Sequence, residues 1–344
     1  MKLSEIKIIP ITESLEIRDI SDEVYFGPEY KRYISNSSLR LINPAEGGSP
    51  QMYKEGLSAH SKYSDSLYFG SAVHQLTLQS DDYFIVDQVN RPTAKAGFMA
   101  DELYKEWCKT GKVDWDSVIK ASEKIDYYKD KMDSRKFDAL LDKIIPYFEE
   151  RNKFEFNEVS NALPIYLDPK SRDKVKKCVE SIKANPEITK LLHPEGLIED
   201  PKVNNEHCIL LDVKAIYPDN EEKILSLKAK IDSYYYDEET NRLVINDLKT
   251  TGHEVKDFVN SFYKFHYYRQ FGFYAWLLFL IYTKKEISSM KANVLISSTI
   301  PPFNSGIFKV LNTHIRRGID EFKELLKRVA YHERYGYDIE PPEL

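Results

Sequence analysis

Cysteine is scarce in this chain of 344 residues. Cys108, Cys178 and Cys208 are widely separated in the sequence, and no two of them form a CxxC pair. This usage argues against a disulfide framework, a structural zinc site and an iron–sulfur cluster. It is typical of proteins that work in a reducing compartment.

Long apolar runs are missing as well. The longest run covers residues 271–282 and includes Gly272, so it is too short to span a bilayer and predicts a buried core helix. Residues 1–19 lack the uninterrupted apolar core of a signal peptide. We therefore expect a cytoplasmic protein that has no membrane partner.

The chain has no excess of positive charge, since 49 basic and 55 acidic residues give a net charge of −6. Proteins that coat duplex DNA usually carry a basic surface, because counterion release drives phosphate binding. The balance argues against that class but is compatible with an enzyme that has an acidic metal site. The 24 tyrosines and 17 phenylalanines suit cores, wet interfaces and base stacking alike.

The sequence predicts one large domain after a short lead-in. Residues 1–34 are predicted to be extended and partly ordered, and 35–344 to form a single domain. Within it, residues from about 97 to 200 are dense in Lys, Glu and Asp at helical spacing, which predicts a helical insertion.

From residue 205 onward the patterns predict an α/β or α+β fold, in which helices pack against a mixed sheet. Alternating apolar and polar residues indicate strands separated by polar turns. The predicted strands are 208–213, 224–232, 243–249, 292–298 and 306–311, and the predicted helices are about 257–283 and 313–333.

The segment Asp247-Leu248-Lys249 carries the first chemical signal. Residues two apart on a strand point to the same face, so Asp247 and Lys249 project together while the Leu248 carbonyl stays near the carboxylate. An isolated pair of this kind is most often a surface ion pair. Asp232, across a predicted hairpin, adds a second carboxylate. Two carboxylates and a carbonyl are the oxygen ligands that Mg²⁺ prefers, and such a site can hydrolyse phosphodiesters.

Two predicted helices supply further polar groups. His74 lies on the earlier helix FGSAVHQLTL, where an isolated histidine is usually structural. Gln270 and Tyr274 are four residues apart on the long helix and share a face. Just before them, basic and aromatic residues alternate over 264–269, which is typical of a nucleic-acid track or of the solvated start of a core helix.

Taken in order, these motifs resemble the RecB-type branch of the PD-(D/E)XK nucleases. The closer resemblance is to the RecE-like exonucleases (exodeoxyribonuclease VIII) of phages and prophages. It rests on ISNSSLRLI, FGSAVHQLTL, the strand Ile245–Thr251 and the Tyr-x-Arg-Gln helix at 267–270, and it covers roughly 35–95 and 205–300. Two departures are Asn246, where an apolar residue is common, and the lack of any matching motif in 97–200.

The resemblance implies a restriction-endonuclease-like core and a magnesium site, with Mn²⁺ as a substitute. His74, Asp232 and Asp247 are the implied metal ligands, assisted by the carbonyl of Leu248. Lys249 is the implied catalytic lysine, which would position the attacking water or neutralise developing charge.

The helix after that strand is implied to support the site. Gln270 and Tyr274 are the supporting residues, and Lys264, His266, Arg269 and Tyr274 are the expected DNA contacts. The implied activity is end-dependent 5′ to 3′ degradation of double-stranded DNA in phage recombination or replication, in the host cytoplasm. The implied partners are a single-strand annealing protein and further copies of the chain in a homo-oligomeric ring.

Two alternatives stay open. One is an endonuclease or flap-type nuclease of the same superfamily. The other is a non-catalytic DNA-binding module on a nuclease fold, which the presence of Asp232, Asp247 and Lys249 disfavours. An iron–sulfur nuclease of the CRISPR-associated type is disfavoured because it needs four clustered cysteines.

Overall fold

The computed structural model of the protein describes residues 1–58, 64–128, 132–155, 162–194, 204–285 and 289–338. Parts of the predicted insertion, 129–131, 156–161 and 195–200, therefore lie outside the described residues. The chain divides into two compact units. Unit 1 comprises Met1–Ala59, Asn185–Ile296 and Ser305–Leu344, and unit 2 comprises His60–Ala184 and Ser297–Asn304.

The chain contains both strands and helices, which follow one another in groups along the sequence. The strands are β1 (Lys7–Arg18), β2 (Tyr83–Ile85), β3 (Leu163–Ile165), β4 (Asn204–Ile216), β5 (Glu222–Asp237), β6 (Arg242–Thr251), β7 (Ser289–Ser298) and β8 (Ser305–Val310). The helices in the described ranges are α1 (Asp22–Tyr25), α2 (Asn36–Ile42), α3 (Pro50–Ser58), α4 (Asp65–Leu78), α5 (Ala94–Thr110), α6 (Trp115–Ile125), α7 (Ser134–Glu155), α8 (Pro169–Lys183), α9 (Pro186–Leu192), α10 (Phe258–Lys264), α11 (Tyr267–Ile281) and α12 (Asn312–Tyr335). No helix within these ranges is both long enough and apolar enough to cross a membrane.

A mixed six-stranded sheet organises unit 1, in the order β1-β4-β5-β6-β7-β8. The ladders β1–β4, β4–β5 and β5–β6 are antiparallel. Residues 7–18, in the predicted lead-in, form β1 and occupy one edge of this sheet. The α/β class with a mixed sheet and helices, expected from the sequence, is confirmed.

Strand β5 is longer than the predicted 224–232, since it continues to Asp237 and pairs with β6 from Ser233↔Asn246 to Asp237↔Arg242. The extra residues 233–236 are all buried, so they lack the alternation on which the prediction depended. The predicted polar turn follows, with Asp237 Oδ1 accepting hydrogen bonds from the backbone of Glu239 (3.1 Å) and Thr240 (3.2 Å).

The predicted helix 257–283 is two helices. Helix α10 ends at Lys264 and α11 begins at Tyr267, because His266 adopts a left-handed conformation with φ of 49°. A residue in that region cannot continue a right-handed helix. The apolar faces of α11 and α12 share one core with the sheet, built around residues such as Phe271, Phe273 and Phe322.

Unit 2 consists of α4 to α8 and the parallel pair β2–β3. Helices α5, α6 and α7 enclose a hydrophobic cluster of their own, which includes Met99, Val118, Ile144 and Phe148. The lysine-rich and glutamate-rich segment therefore builds a separate core beneath its solvated faces.

Helices α11 and α12 approach each other through two glycines, Gly272 and Gly318. A Cβ atom on Gly318 would lie 1.9 Å from the carbonyl oxygen of Tyr268, and one on Gly272 would lie 2.3 Å from the carbonyl carbon of Gly318. Any side chain at either position would therefore force the helices apart.

We predict that Gly318→Ala lowers the free energy of unfolding by about 1–3 kcal/mol, because the added methyl overpacks this contact. The loss should appear although alanine itself favours a helix by about 1 kcal/mol. Urea unfolding measures it. The control is Gly252→Ala, since a Cβ there meets no atom within 4 Å. Equal stability of the two variants would contradict the close contact.

Candidate active site

Two carboxylates from adjacent strands lie where β5 and β6 separate. The ladder stops at Ser233↔Asn246, so Asp232 and Asp247 occupy the next position of the two strands. Asp232 Oδ2 accepts a hydrogen bond from the backbone NH of Leu248 at 2.7 Å. Asp232 is 8% exposed and Asp247 1% exposed. The hairpin thus brings both acidic residues to one buried location.

Lys249 projects to the same face as Asp247, as the two-residue spacing predicts. Its Nζ lies 2.6 Å from Asp247 Oδ2 and 3.4 Å from the Leu248 carbonyl oxygen. Burial lowers the pKa of Lys249, but the Asp247 and Asp232 carboxylates outweigh that effect and hold the pKa above its usual value. The two carboxylates therefore favour the charged form of the lysine.

Helix α11 holds Asp247 from the other side. Gln270 Nε2 donates to Asp247 Oδ1 at 2.9 Å and to Tyr274 Oη at 2.7 Å. Tyr274 Oη in turn donates to the Lys230 carbonyl oxygen at 2.9 Å. Tyr274 is buried, and burial raises the pKa of its phenol well above the usual range. Gln270 therefore connects α11 to β6, and Tyr274 connects α11 to β5.

A third carboxylate, Glu206 on β4, was missed by the sequence analysis. The ladder pairs Asn205 with Ser233 and His207 with Ile231, and Glu206 and Asp232 occupy the position between them. The carboxylate oxygens of Glu206 and Asp232 lie within 4.8 Å of each other. No sequence motif marks Glu206; only the register of β4 against β5 brings it to Asp232.

The backbone is distorted at this place. Glu206 has φ of 57°, an uncommon conformation for a residue other than glycine. On β5, Ile231 and Tyr234 both face the core, so the alternation changes phase at Asp232. Left-handed backbone conformations such as that of Glu206 cluster at functional sites.

Lys230 Nζ lies 3.0 Å from Glu206 Oε2 and 2.5 Å from Asp22 Oδ1.

The donors present in unit 1 fit a divalent cation. Asp232 and Glu206 each offer a carboxylate oxygen, and these two atoms lie within 4.8 Å of each other. Asp247 offers a further carboxylate from the position next to Asp232 on the neighbouring strand. Asp247 Oδ2 is buried and, among the described residues, has the Lys249 ion pair but no directional hydrogen bond. Hard oxygen ligands of this kind suit Mg²⁺ or Mn²⁺ and suit soft metals poorly.

His74, the remaining expected ligand, lies on α4 in unit 2 and is half-buried. Its part in a metal site stays a prediction.

Two of the expected DNA contacts have carboxylate partners inside unit 1. Arg269, 1% exposed, donates to Asn36 Oδ1 at 2.9 Å, and its guanidinium pairs with Glu46 and Glu321. His266 Nδ1 lies 2.7 Å from Glu321 Oε1. These contacts favour a structural role for both residues. Lys264 is exposed at the end of α10 and free to reach a phosphate.

Asn246, the departure from the resembled motif, has a structural explanation. Its Nδ2 donates to the Leu191 carbonyl at 3.1 Å, and its Oδ1 accepts from Asn293 Nδ2 at 2.9 Å. The side chain therefore joins β6 to α9 and β7 on the face away from Asp247. A buried amide with both ends paired can replace an apolar residue without a large penalty.

No protein-family model matches the chain, and no curated protein matches it. Among solved structures, it is similar to a crystal structure at 2.19 Å resolution of a protein from Eubacterium rectale described as a "putative exonuclease". The TM-score is 0.50 at 12% sequence identity, over 95% of this chain and 90% of the other. At this identity the likeness concerns the fold alone.

The Arg269 network generates a prediction about stability. Arg269→Met should lower the free energy of unfolding by about 3–5 kcal/mol, because Glu46 and Glu321 would remain buried without their cation. Chemical denaturation measures the loss. Lys256→Met is the matched control, since its pair with Glu254 is exposed (75% and 60%) and should contribute little to stability. A loss no larger than the control's would remove the network's structural role.

Proposed function

We propose that this protein is a metal-dependent deoxyribonuclease with a PD-(D/E)XK site. One observation carries the proposal, namely the arrangement of groups around Asp247. Lys249 pairs with Asp247 on the same strand face, and Gln270 donates a hydrogen bond to Asp247. Asp232, on the neighbouring strand, accepts a hydrogen bond from the backbone NH of Leu248. A surface ion pair would not be buried at 1% exposure and braced by a core helix. The arrangement is what the resembled family requires of its strand and its supporting helix.

The metal would be held by Asp232 and Asp247 with the Leu248 carbonyl, and by His74 as the resemblance implies. When bound, such a cation polarises a phosphoryl oxygen and lowers the pKa of water at the site. Gln270 fixes the orientation of the Asp247 carboxylate through its bond to Oδ1. Tyr274 keeps Gln270 in place through the shared hydrogen bond.

Lys249 supplies positive charge at the reacting centre. Its neighbouring carboxylates raise its pKa and favour the protonated form, which suits a hydrogen-bond donor and a cation. Placed beside Asp247, it is suited to orient the attacking water or to stabilise charge that develops on the phosphate. Glu206 adds a further acidic group beside Asp232.

We further propose an exonuclease that acts on ends of double-stranded DNA, in the 5′ to 3′ direction. The resemblance of the motifs to RecE-like exonucleases supports this finer statement. The similarity of the fold to a protein described as a "putative exonuclease" supports its exonuclease part alone. The annealing-protein partner and the ring-shaped oligomer belong to the same proposal.

We predict that Asp232→Asn and Asp247→Asn each abolish Mg²⁺-dependent cleavage of DNA, because each removes an anionic oxygen ligand. Chelation by EDTA should do the same. Thermal unfolding with and without Mn²⁺ gives a readout independent of activity, since a ligand that binds the native state raises Tm. The Mn²⁺-induced rise in Tm should disappear in both variants.

Lys249→Met distinguishes a role of the lysine in turnover from a role in metal binding. It should lose turnover and keep the Mn²⁺-induced rise in Tm, because the ammonium acts on water or phosphate and not on the cation. Normal cleavage by either Asn variant would refute the site. Loss of metal binding in Lys249→Met would show instead that the lysine holds the carboxylates in place.

We predict that linear duplex DNA is consumed while covalently closed circles survive, since an end-dependent enzyme needs a terminus to enter its site. Incubation of both forms in one tube with Mg²⁺, followed by electrophoresis, measures the difference. Labels at the 5′ or 3′ ends report polarity. Efficient cutting of closed circles would reject the exonuclease and favour the endonuclease. Cleavage of neither form, with the DNA bound, would favour the non-catalytic module.

A further inference from the structure

Two aromatic side chains are exposed at the end of α10. Tyr263 is 44% exposed and Phe265 is 36% exposed, and they are separated by Lys264 alone. Single exposed apolar residues are common on protein surfaces and need no explanation. Two large exposed rings on one short surface segment are less usual, and they make this segment a candidate ligand contact.

Two cations lie at cation–π distance from the Phe265 ring. Arg40 Cζ lies 5.9 Å from the ring centroid, and Lys264 Nζ lies 5.5 Å from it. Both cations are exposed, and Arg40 keeps 57% of its side chain accessible although it lies 3.7 Å from a carboxylate oxygen of Glu46. The surface therefore combines a flat apolar face with two positive groups that can reach a ligand. This patch is defined by Phe265, Arg40 and Lys264.

The patch is continuous with the candidate active site. The Phe265 ring lies 5.9 Å from the Tyr267 ring, and Lys249 Nζ lies 5.6 Å from the Tyr267 centroid. Tyr267 also stacks on the buried ring of Phe258 at 5.8 Å, which fixes its plane. A single ring therefore separates Phe265 from the proposed catalytic lysine.

The backbone holds the patch in place. His266, which follows Phe265, adopts the left-handed conformation that separates α10 from α11, and Glu321 pairs with its ring. Phe265 therefore stands at a fixed turn between two packed helices. A ring ordered in advance loses little conformational entropy when a ligand stacks on it.

We propose that Phe265, flanked by Arg40 and Lys264, is a base-stacking site for an unpaired nucleotide of the strand that enters the active site. An exposed ring can stack on any base whose face is free, and adjacent cations bind its phosphates. A base pair inside a duplex hides both faces in its own stack, so we assign the site to an unpaired base. A terminal pair exposes one outer face, and the blunt duplex probe below tests that occupant. This inference rests on the proposed nuclease function and specifies how the substrate strand is held.

Fluorescence anisotropy with a labelled oligo-dT strand tests the proposal on the full chain, in EDTA so that nothing is cut. Phe265→Ala should raise Kd by about tenfold or more, as expected for the loss of one stacking contact. Phe265→Trp should restore binding. Phe279→Ala is the matched control, because Phe279 is 40% exposed on α11 and should leave Kd unchanged. Equal Tm values show that the variants are folded.

The salt dependence of strand binding and a blunt duplex probe give two further tests of the site. Arg40→Gln and Lys264→Gln should each make the fall of binding with added salt less steep, since each removes one phosphate contact. An unchanged Kd in Phe265→Ala, or an equal loss for a blunt duplex, would overturn the stacking site.

Failure of the stacking site and failure of the proposed nuclease function give different results. If Mg²⁺-dependent cleavage persists while Phe265→Ala binds the strand normally, the stacking site is wrong and the nuclease stands. If no DNA is cut but the strand still binds through Phe265, the nuclease is wrong and the stacking site stands.

Discussion

The candidate site depends on keeping negative charge inside a protein core. Buried carboxylates are costly unless cations or hydrogen-bond donors compensate them. Asp247 meets this condition through Lys249 and Gln270, and Asp232 through the backbone NH of Leu248. Glu206 is paired with Lys230. The same compensation that stabilises the fold leaves a group of oxygen ligands with adjacent positive charge, which is the combination that phosphodiester hydrolysis needs.

Helix α11 transmits this constraint to the rest of unit 1. Its first turn is fixed by Arg269, whose guanidinium reaches Asn36 on α2 and Glu321 on α12. Its middle is fixed by the close approach of Gly272 to α12. Gln270 lies between these two contacts, and its amide is held by hydrogen bonds to Asp247 and Tyr274. The segment ISNSSLRLI thereby acquires a physical role, because its Asn36 holds the arginine that precedes Gln270.

Local patterns predicted the parts of the site that lie within one strand or one helix. The two-residue spacing of Asp247 and Lys249 and the four-residue spacing of Gln270 and Tyr274 are fixed by backbone geometry, and the structure confirms that each pair is in contact. Glu206 could not be found this way, because its relation to Asp232 depends on the register between β4 and β5. The break at His266 was missed for a similar reason: its left-handed conformation is stabilised by the distant Glu321.

The central claim is that the carboxylates of Asp232 and Asp247 hold a divalent cation. Anomalous diffraction from a crystal soaked in Mn²⁺ tests it most directly, because the metal's position is seen independently of activity. We expect a peak at bonding distance from both carboxylates and from the Leu248 carbonyl. A peak only at another acidic cluster, such as Glu46 and Glu321, or no peak at all at saturating Mn²⁺, would contradict it.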